Sequence, residues 1–435
     1  MRADTIGKDR QEFHRPDGPF GAPSILPNRG DPIMADRPLR ILFSSYHSYL
    51  DPSSGSTISL RDLFQLLTGR GWNCQVFCGP QLDYEEPRTI PELLETVKIP
   101  FDTRRGGAHG LDFRLYNAII DDIPVALYET PDAPPTRNLT EQQGKVHAAL
   151  FEEVLNQFRP DILLTYGGQI MAYPCMVLAR QRGTKVVFWL RNTAYSARDF
   201  FYPCNGAIVP SEFSTEYYRK TIGIRCTSLP SPLDWERVHC EHIERKYLTF
   251  INPSPVKGVY FLAGILKELS VRKPDIPVLV VEGRGGVKWL EKTGFEAQSL
   301  PNIRGMRNTR DPREFFSMTR VLLAPSLWQE TFGRVTAESL INGIPVLAST
   351  RGGLREVVNK GGFLFDIPDS FQPETREMPP RKVVTPWVDT ILRLWEDESY
   401  YVTACLNARV EAEKWQPEKL ADRYEDYFRE IVGTR

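Results

Sequence analysis

The chain has no apolar run near the roughly 20 residues that a helix needs to cross a bilayer. No short apolar stretch of secretory-leader type opens it either. Histidine and cysteine are scarce, at 6 and 7 of 435 residues. Cys74 and Cys78 fall on one strand and its end, and Cys175, Cys204, Cys226, Cys240 and Cys405 stand apart. That spacing excludes a zinc ribbon, and an odd count argues against a disulfide framework. Free thiols in a reducing, cytoplasmic setting are expected, with no metal. The formal net charge is only -1, so no global field favours nucleic acid. What remains is globular: 41% hydrophobic and 25% charged, long enough for two large domains.

Met1 to Asp36 is rich in Gly, Pro, Asp and Arg without apolar periodicity, so residues 1–37 are expected to be a disordered extension. Met34-Ala-Asp-Arg-Pro-Leu-Arg-Ile41 reads as an alternative start of translation. From Leu39 on, short apolar runs alternate with helical spacing. Arg40–Ser45, Cys74–Cys78, Asp161–Thr165, Lys185–Leu190 and Gly206–Pro210 read as strands. Leu60, Leu63, Phe64 and Leu67 mark the first helix, and Gly144–Phe158 and Pro174–Arg182 two more. Leu82 to Thr140 reads as long loops plus one strand at Ile123–Tyr128, with loops of this kind facing a second substrate or forming a plain surface insertion. A second series follows Pro230-Ser-Pro-Leu-Asp234, with strands at Tyr247–Ile251, Ile276–Val281, Val321–Ala324 and Val346–Ala348. The expected class is α/β, two Rossmann-like βαβ domains facing across a cleft. The expected bounds are 38–237 and 238–435. The helical stretch Trp387–Ile431 exceeds one domain's needs, so part of it is expected to cross back to the first.

The most telling segment is Trp328-Gln-Glu-Thr-Phe-Gly-Arg-Val-Thr-Ala-Glu338. A strand precedes it and a helix starts near Gly333, with Asn342-Gly343 as its stop and Pro345 beyond. Amides at a helix start bind phosphate oxygens, and Gly333 permits close approach. Glu330 and Glu338 can accept hydrogen bonds from sugar hydroxyls. Taken alone, two glutamates so spaced are ordinary solvated acids. In a strand–loop–helix–strand unit they form a ligand loop at the carboxyl end of a strand.

Four features together resemble glycosyltransferase family 4, of GT-B fold, over about Leu39 to Tyr427. They are Glu330-x7-Glu338 behind Pro325-Ser326; Gly343-Ile-Pro-Val-Leu-Ala-Ser349 with Gly352-Gly353 and Glu356; Asn252-Pro-Ser-Pro-Val-Lys257-Gly258; and Gly55-Ser56 at the first helix. The resemblance implies a retaining enzyme that uses a nucleotide-diphosphate sugar as co-substrate and needs no metal or other cofactor. By resemblance, Lys257 neutralises the donor diphosphate, Glu338 holds the ribose and Glu330 contacts the transferred sugar. Phe332, Gly333, Arg334 and Val335 meet sugar and phosphates through their backbone. Main chain near Met306 pairs with the base, and Gly55 and Ser56 approach the phosphates from the other domain. Lys257, Arg284 and Glu330 are the expected catalytic groups.

The chain departs from the family pattern twice. Asn252 stands where an arginine is usual five residues before the lysine, and Arg284 is the candidate to supply that charge. Arg191 and Asn192 stand where many members carry a histidine, with His47 as a partial substitute. These three are the candidates for acceptor or sugar contact. A glycan, lipid-linked or small-molecule acceptor, and peripheral membrane contact, all stay open at this point. A sugar-nucleotide epimerase or hydrolase and a non-catalytic GT-B binding protein are the alternatives.

Overall fold

The computed structural model describes residues 37–84, 88–130, 139–295 and 302–433. The expected N-terminal extension and the Met34 start lie outside the described residues.

The first half is built on a nine-stranded sheet. Its elements are β1 (Arg40–His47), α1 (Gly55–Gly69), β2 (Asn73–Gln81), α2 (Ile90–Thr96), β3 (Phe101–Ala108), β4 (Leu111–Ile120), β5 (Ile123–Glu129), α3 (Glu141–Phe158), β6 (Ile162–Thr165), α4 (Ala172–Gln181), β7 (Lys185–Trp189), β8 (Gly206–Val209), α5 (Glu212–Thr221) and β9 (Thr227–Ser228). The strand order is β3-β4-β5-β2-β1-β6-β7-β8-β9. β1 pairs in parallel with β2 and β6, and all but its two end residues are buried, as a strand covered on both faces requires.

The stretch expected to be mostly loop is largely ordered sheet. β3 and β4 form an antiparallel hairpin, and β4 returns antiparallel to β5. The two-residue turn, His109-Gly110, has φ of 53° and 78°, the positive values of a type I′ hairpin. β4 buries Phe113, Leu115, Ala118 and Ile120 in near alternation, but the glycines at 106, 107 and 110 and the polar flanks hide that period in the sequence. α2 carries a capping box, Thr89 with Glu92, a spacing visible in the sequence itself.

The second half follows α6 (Trp235–Val238). It runs β10 (Tyr247–Ile251), α7 (Val259–Arg272), β11 (Val278–Val281), α8 (Lys288–Glu291), β12 (Ile303–Met306), α9 (Arg313–Phe316), β13 (Thr319–Ala324), α10 (Arg334–Ile341), β14 (Val346–Ser349), α11 (Leu354–Val358) and β15 (Gly362–Phe365). All six strands are parallel, in the order β12-β11-β10-β13-β14-β15. That is the doubly wound Rossmann order, with its reversal point between β10 and β13. Three helices close the chain: α12 (Arg381–Glu396), α13 (Glu398–Ala412) and α14 (Pro417–Val432). α12 and α13 cover the second sheet, whereas α14 crosses back. Its Tyr424, Phe428 and Val432 join the first half's core, and the Tyr424 hydroxyl donates to the carbonyl of Pro230 at 3.0 Å.

One buried group ties this core to pH. His147 on α3 is 2% exposed and packs among the rings of Tyr46, Phe77 and Tyr128, and its Nδ1 has no partner. Burial pushes its imidazole down to about 3. A lowered histidine favours folding above its unfolded value, near 6.5, and loses that contribution as pH falls towards 3. Between pH 7.5 and 5 the loss amounts to about 2 kcal/mol. His147→Phe is therefore expected to flatten the acid limb of a thermal-midpoint-against-pH curve. Parallel curves for the two proteins would show that His147 is not the group responsible.

Candidate functional site

The loops at the carboxyl ends of β10 and β13 meet at the reversal point of the second sheet. They face the loop between β1 and α1 in the first half. A cavity of about 460 Å³ lies between them. Of the residues singled out from the sequence, Gly55, Ser56, Arg191, Asn192, Asn252 and Lys257 line it. So do Arg284, Glu330, Phe332, Gly333, Arg334, Val335 and Glu338. A neighbouring cavity of about 410 Å³ shares Asn252, Arg284, Val335 and Glu338 with it and reaches Asn308-Thr309-Arg310 on one side and α2 on the other.

Local chemistry explains why these residues converge. Gly333 caps α10 with φ of 89°, and a Cβ there would stand 2.5 Å from Leu354 Cδ2, so the turn into the helix needs glycine. The first intrahelical bond runs from the Thr336 amide to the Gly333 carbonyl, which leaves the amides of Arg334 and Val335 ahead of it at the helix start. Glu330 is held at the other end of the loop. Its Oε1 accepts from Lys257 Nζ at 2.5 Å and from Ser326 Oγ at 2.9 Å. The two groups assigned to sugar and diphosphate are thus each other's counter-ion in this structure.

Asn252, which stands where the resembled family usually has arginine, has a local role. Its φ is 62°, a left-handed value that asparagine tolerates better than most residues. Its Oδ1 accepts the Gly285 amide at 2.8 Å, so the side chain fixes the loop that carries Arg284. The Arg284 Nη2 donates to Asp83 Oδ2 at 2.6 Å and to the Ser53 carbonyl at 3.3 Å, both in the first half. Arg284 thereby bridges the cleft mouth.

Glu338 is buried, and Arg334 Nε donates to its Oε1 at 2.7 Å. Burial pushes the Glu338 carboxyl up, against the pull of that guanidinium. Arg334 in turn donates to Ser59 Oγ at 3.0 Å, the Pro232 carbonyl at 2.9 Å and Asp62 Oδ2 at 2.5 Å. Against the desolvation of burial, the Asp62 and Glu338 carboxylates raise Arg334 above its ordinary range. The resemblance assigns Arg334 its backbone, yet its side chain ties α10 to Ser59 and Asp62 of α1.

Two candidates stand apart from the main cavity. His47 Nε2 lies 3.0 Å from Gln169 Nε2, its Nδ1 is 4.0 Å from Asp83 Oδ1, and its ring packs on Tyr166. It lies behind Asp83, which lines the main cavity. Met306 lines neither cavity, and its carbonyl accepts the Glu282 amide at 2.8 Å. Asn192 lines the main cavity, but its Oδ1 accepts the Ala194 amide at 3.0 Å.

Sequence reasoning missed three aspartates. Asp51 builds the β1–α1 loop, accepting from the amides of Ser53 and Ser54 and the Ser53 hydroxyl, and from the Asp83 amide. Asp83 receives Arg284. Asp62 is 3% exposed on α1 and receives Arg334 and Arg237. Only Asp62 left a trace: with Ser59 it forms an i, i+3 polar pair inside an otherwise apolar helical run.

Residues 245–397 match the family model described as Glycosyl transferases group 1. The spore coat protein SA of Bacillus subtilis is 27% identical over 139 residues, covering 30% of this chain and 37% of its own length. The D-inositol 3-phosphate glycosyltransferase of Corynebacterium urealyticum is 28% identical over 188 residues, covering 40% and 41%. The chain thus spans about two fifths of the length of these curated relatives. The crystal structure of Anabaena HepE in complex with UDP-glucose superposes with a TM-score of 0.60 at 15% identity, covering 89% of this chain and 99% of that one. Among the described residues, no helix is long and apolar enough to cross a membrane. The chain has the GT-B fold of glycosyltransferases, and over residues 245–397 its sequence is similar to glycosyl transferases of group 1.

Proposed function

We propose that the protein is a retaining glycosyltransferase of family 4 that moves a sugar from a nucleotide-diphosphate sugar to a hydroxyl of a glycan or glycoconjugate. The convergence of Lys257, Arg284, Glu330 and the α10 start on one cavity, opposite Gly55 of the first half, supports this reading most directly. On this reading residues 238–435 carry the donor, residues 38–237 face the acceptor, and free thiols suit a cytoplasmic setting.

Each residue has a role that its chemistry suits. Lys257 is a compact cation at a strand end, and Arg284 brings a second one from the next strand. With the amides at the α10 start they supply fixed positive charge where a departing diphosphate gathers negative charge. Glu330 orients the transferred sugar and opposes the positive charge that develops on it. Glu338 is the group for the ribose hydroxyls, on the wall shared by the two cavities. In retaining transfer of this kind the leaving phosphate oxygen takes the acceptor's proton, so no separate protein base and no metal enters the scheme. The ties from Arg284 to Asp83 and from Arg334 to Asp62 hold the halves together over the cavity, which limits access of water and hydrolysis of the donor.

Calorimetry with UDP tests the assignment. Lys257→Ala is expected to weaken UDP binding at least about tenfold, or roughly 1.4 kcal/mol. Unchanged affinity, or no affinity in the parent protein for UDP, GDP or ADP, would remove the donor-site reading.

A further inference from the structure

Among the described residues, four cationic side chains line the main cavity, and three of them have a carboxylate. Lys257 has Glu330, Arg284 has Asp83, and Arg334 has Asp62 and Glu338. Arg191 has none among the described residues. It follows β7 and lines the main cavity. Its Nη2 donates to the hydroxyls of Ser59 at 3.2 Å and Ser231 at 2.5 Å, and its guanidinium lies 4.8 Å from the centre of the Trp189 ring. Its Nη1 is buried and has no hydrogen-bond partner. Arg334, which shares the Ser59 hydroxyl with it, repels it.

An arginine in this state is costly to keep. A buried donor without an acceptor bears its full desolvation cost, more so when it is charged. Burial lowers the guanidinium to about 10, so it stays protonated at neutral pH. The charge is therefore real and unneutralised. Its position narrows what neutralises it. The Arg191 carbonyl accepts the Thr331 hydroxyl at 2.9 Å, which sets this residue against the neighbour of Glu330. That bond ties the Arg191 backbone to the loop that carries Glu330, while its guanidinium lies between Ser59 and Ser231 beside Arg334, on the half that faces Lys257 and Arg284.

We propose that Arg191 receives an anionic group carried by a substrate, a carboxylate on the transferred sugar or on the acceptor, so that the enzyme works on acidic sugars. A planar guanidinium with a free nitrogen beside two hydroxyl-anchored bonds matches a carboxylate better than a hydroxyl. The inference rests on the glycosyltransferase reading above.

The test compares matched donors that differ at one group: UDP-glucuronic acid with UDP-glucose, and GDP-mannuronic acid with GDP-mannose. An acceptor arm pairs glucuronate-terminated with glucose-terminated oligosaccharides. The parent protein is expected to favour the acidic member of a donor or acceptor pair at least tenfold in kcat/KM. Arg191→Gln is expected to abolish that preference, and Arg191→Lys to keep part of it. Preference in the donor arm places the carboxylate on the transferred sugar, and preference in the acceptor arm places it on the acceptor. Turnover without an acidic preference in either arm overturns the inference while leaving the glycosyltransferase reading intact. It also falls if Arg191→Gln weakens binding of UDP alone as much as that of UDP-glucuronic acid, since Arg191 would then serve the diphosphate. Should Arg191→Gln fold poorly, the parent protein's acid-to-neutral ratio and the Arg191→Lys variant still decide.

Discussion

Replacing Glu330 by glutamine is expected to cut sugar transfer by at least about 100-fold and to leave UDP affinity within about threefold or tighter. The two effects separate because of the pair in the structure. Glu330 Oε1 accepts from Lys257 Nζ and Ser326 Oγ, so its carboxylate is oriented and half-neutralised before any donor arrives. On the proposed function, a bound donor's diphosphate takes over Lys257, and Glu330 turns its charge to the sugar. Its charge then matters most when positive charge develops on the ring, which is a transition-state effect and belongs in kcat. Glutamine keeps the size and the hydrogen-bonding capacity but removes that charge. It also frees Lys257 from its internal partner, so UDP loses nothing and can gain. Single-turnover rates and UDP calorimetry on the same preparation read both quantities. A large loss of UDP affinity with unchanged single-turnover chemistry would reverse the roles given to Glu330 and Lys257.

The second half was legible in sequence because its signals are local. The glycine that starts α10, the Asn342-Gly343 stop and the flanking apolar strands all lie within 30 residues of one another, and the structure places α10 at Arg334–Ile341 between β13 and β14. The return of α14 was legible as a surplus of aromatic helix, and Tyr424 and Phe428 are fully buried in the first half. What stayed hidden was partnership at long range. Nothing near Asp83 in the sequence marks it as the acceptor for Arg284, 201 residues away. Asn252 looked like a lost arginine, whereas its left-handed backbone and its bond to Gly285 show a position reshaped to deliver Arg284. The sequence marks Arg334 for its amide because the helix start is a local feature. Its side-chain role depends on α1, 272 residues earlier, which no spacing rule reveals.

Asp62→Ala is expected to destabilise the protein by about 3–5 kcal/mol, the cost typical of removing one partner from a buried ion pair. Asp62 accepts from Arg334 Nη2 at 2.5 Å, from Arg237 Nη2 at 3.2 Å and from the Asp234 amide at 3.3 Å. Its loss leaves Arg237 without a buried carboxylate and Arg334 with Glu338 alone. Because Asp62 sits on α1 and Arg334 on α10, the same change severs a tie across the cleft. The variant should therefore show a lower urea midpoint and a larger radius of gyration by solution scattering, with weaker UDP binding as a consequence of opening. Asp62→Asn keeps an acceptor oxygen without the charge and should fall between the two. The decisive comparison is Asp62→Ala combined with Arg334→Leu. If the damage comes from a stranded guanidinium, removing it restores part of the stability, because Glu338 can then take up a proton in its buried site, as the upward push on its carboxyl already favours. A double variant less stable than Asp62→Ala alone would mean that Arg334 stabilises α10 by its bonds to Ser59 and Pro232 rather than through Asp62.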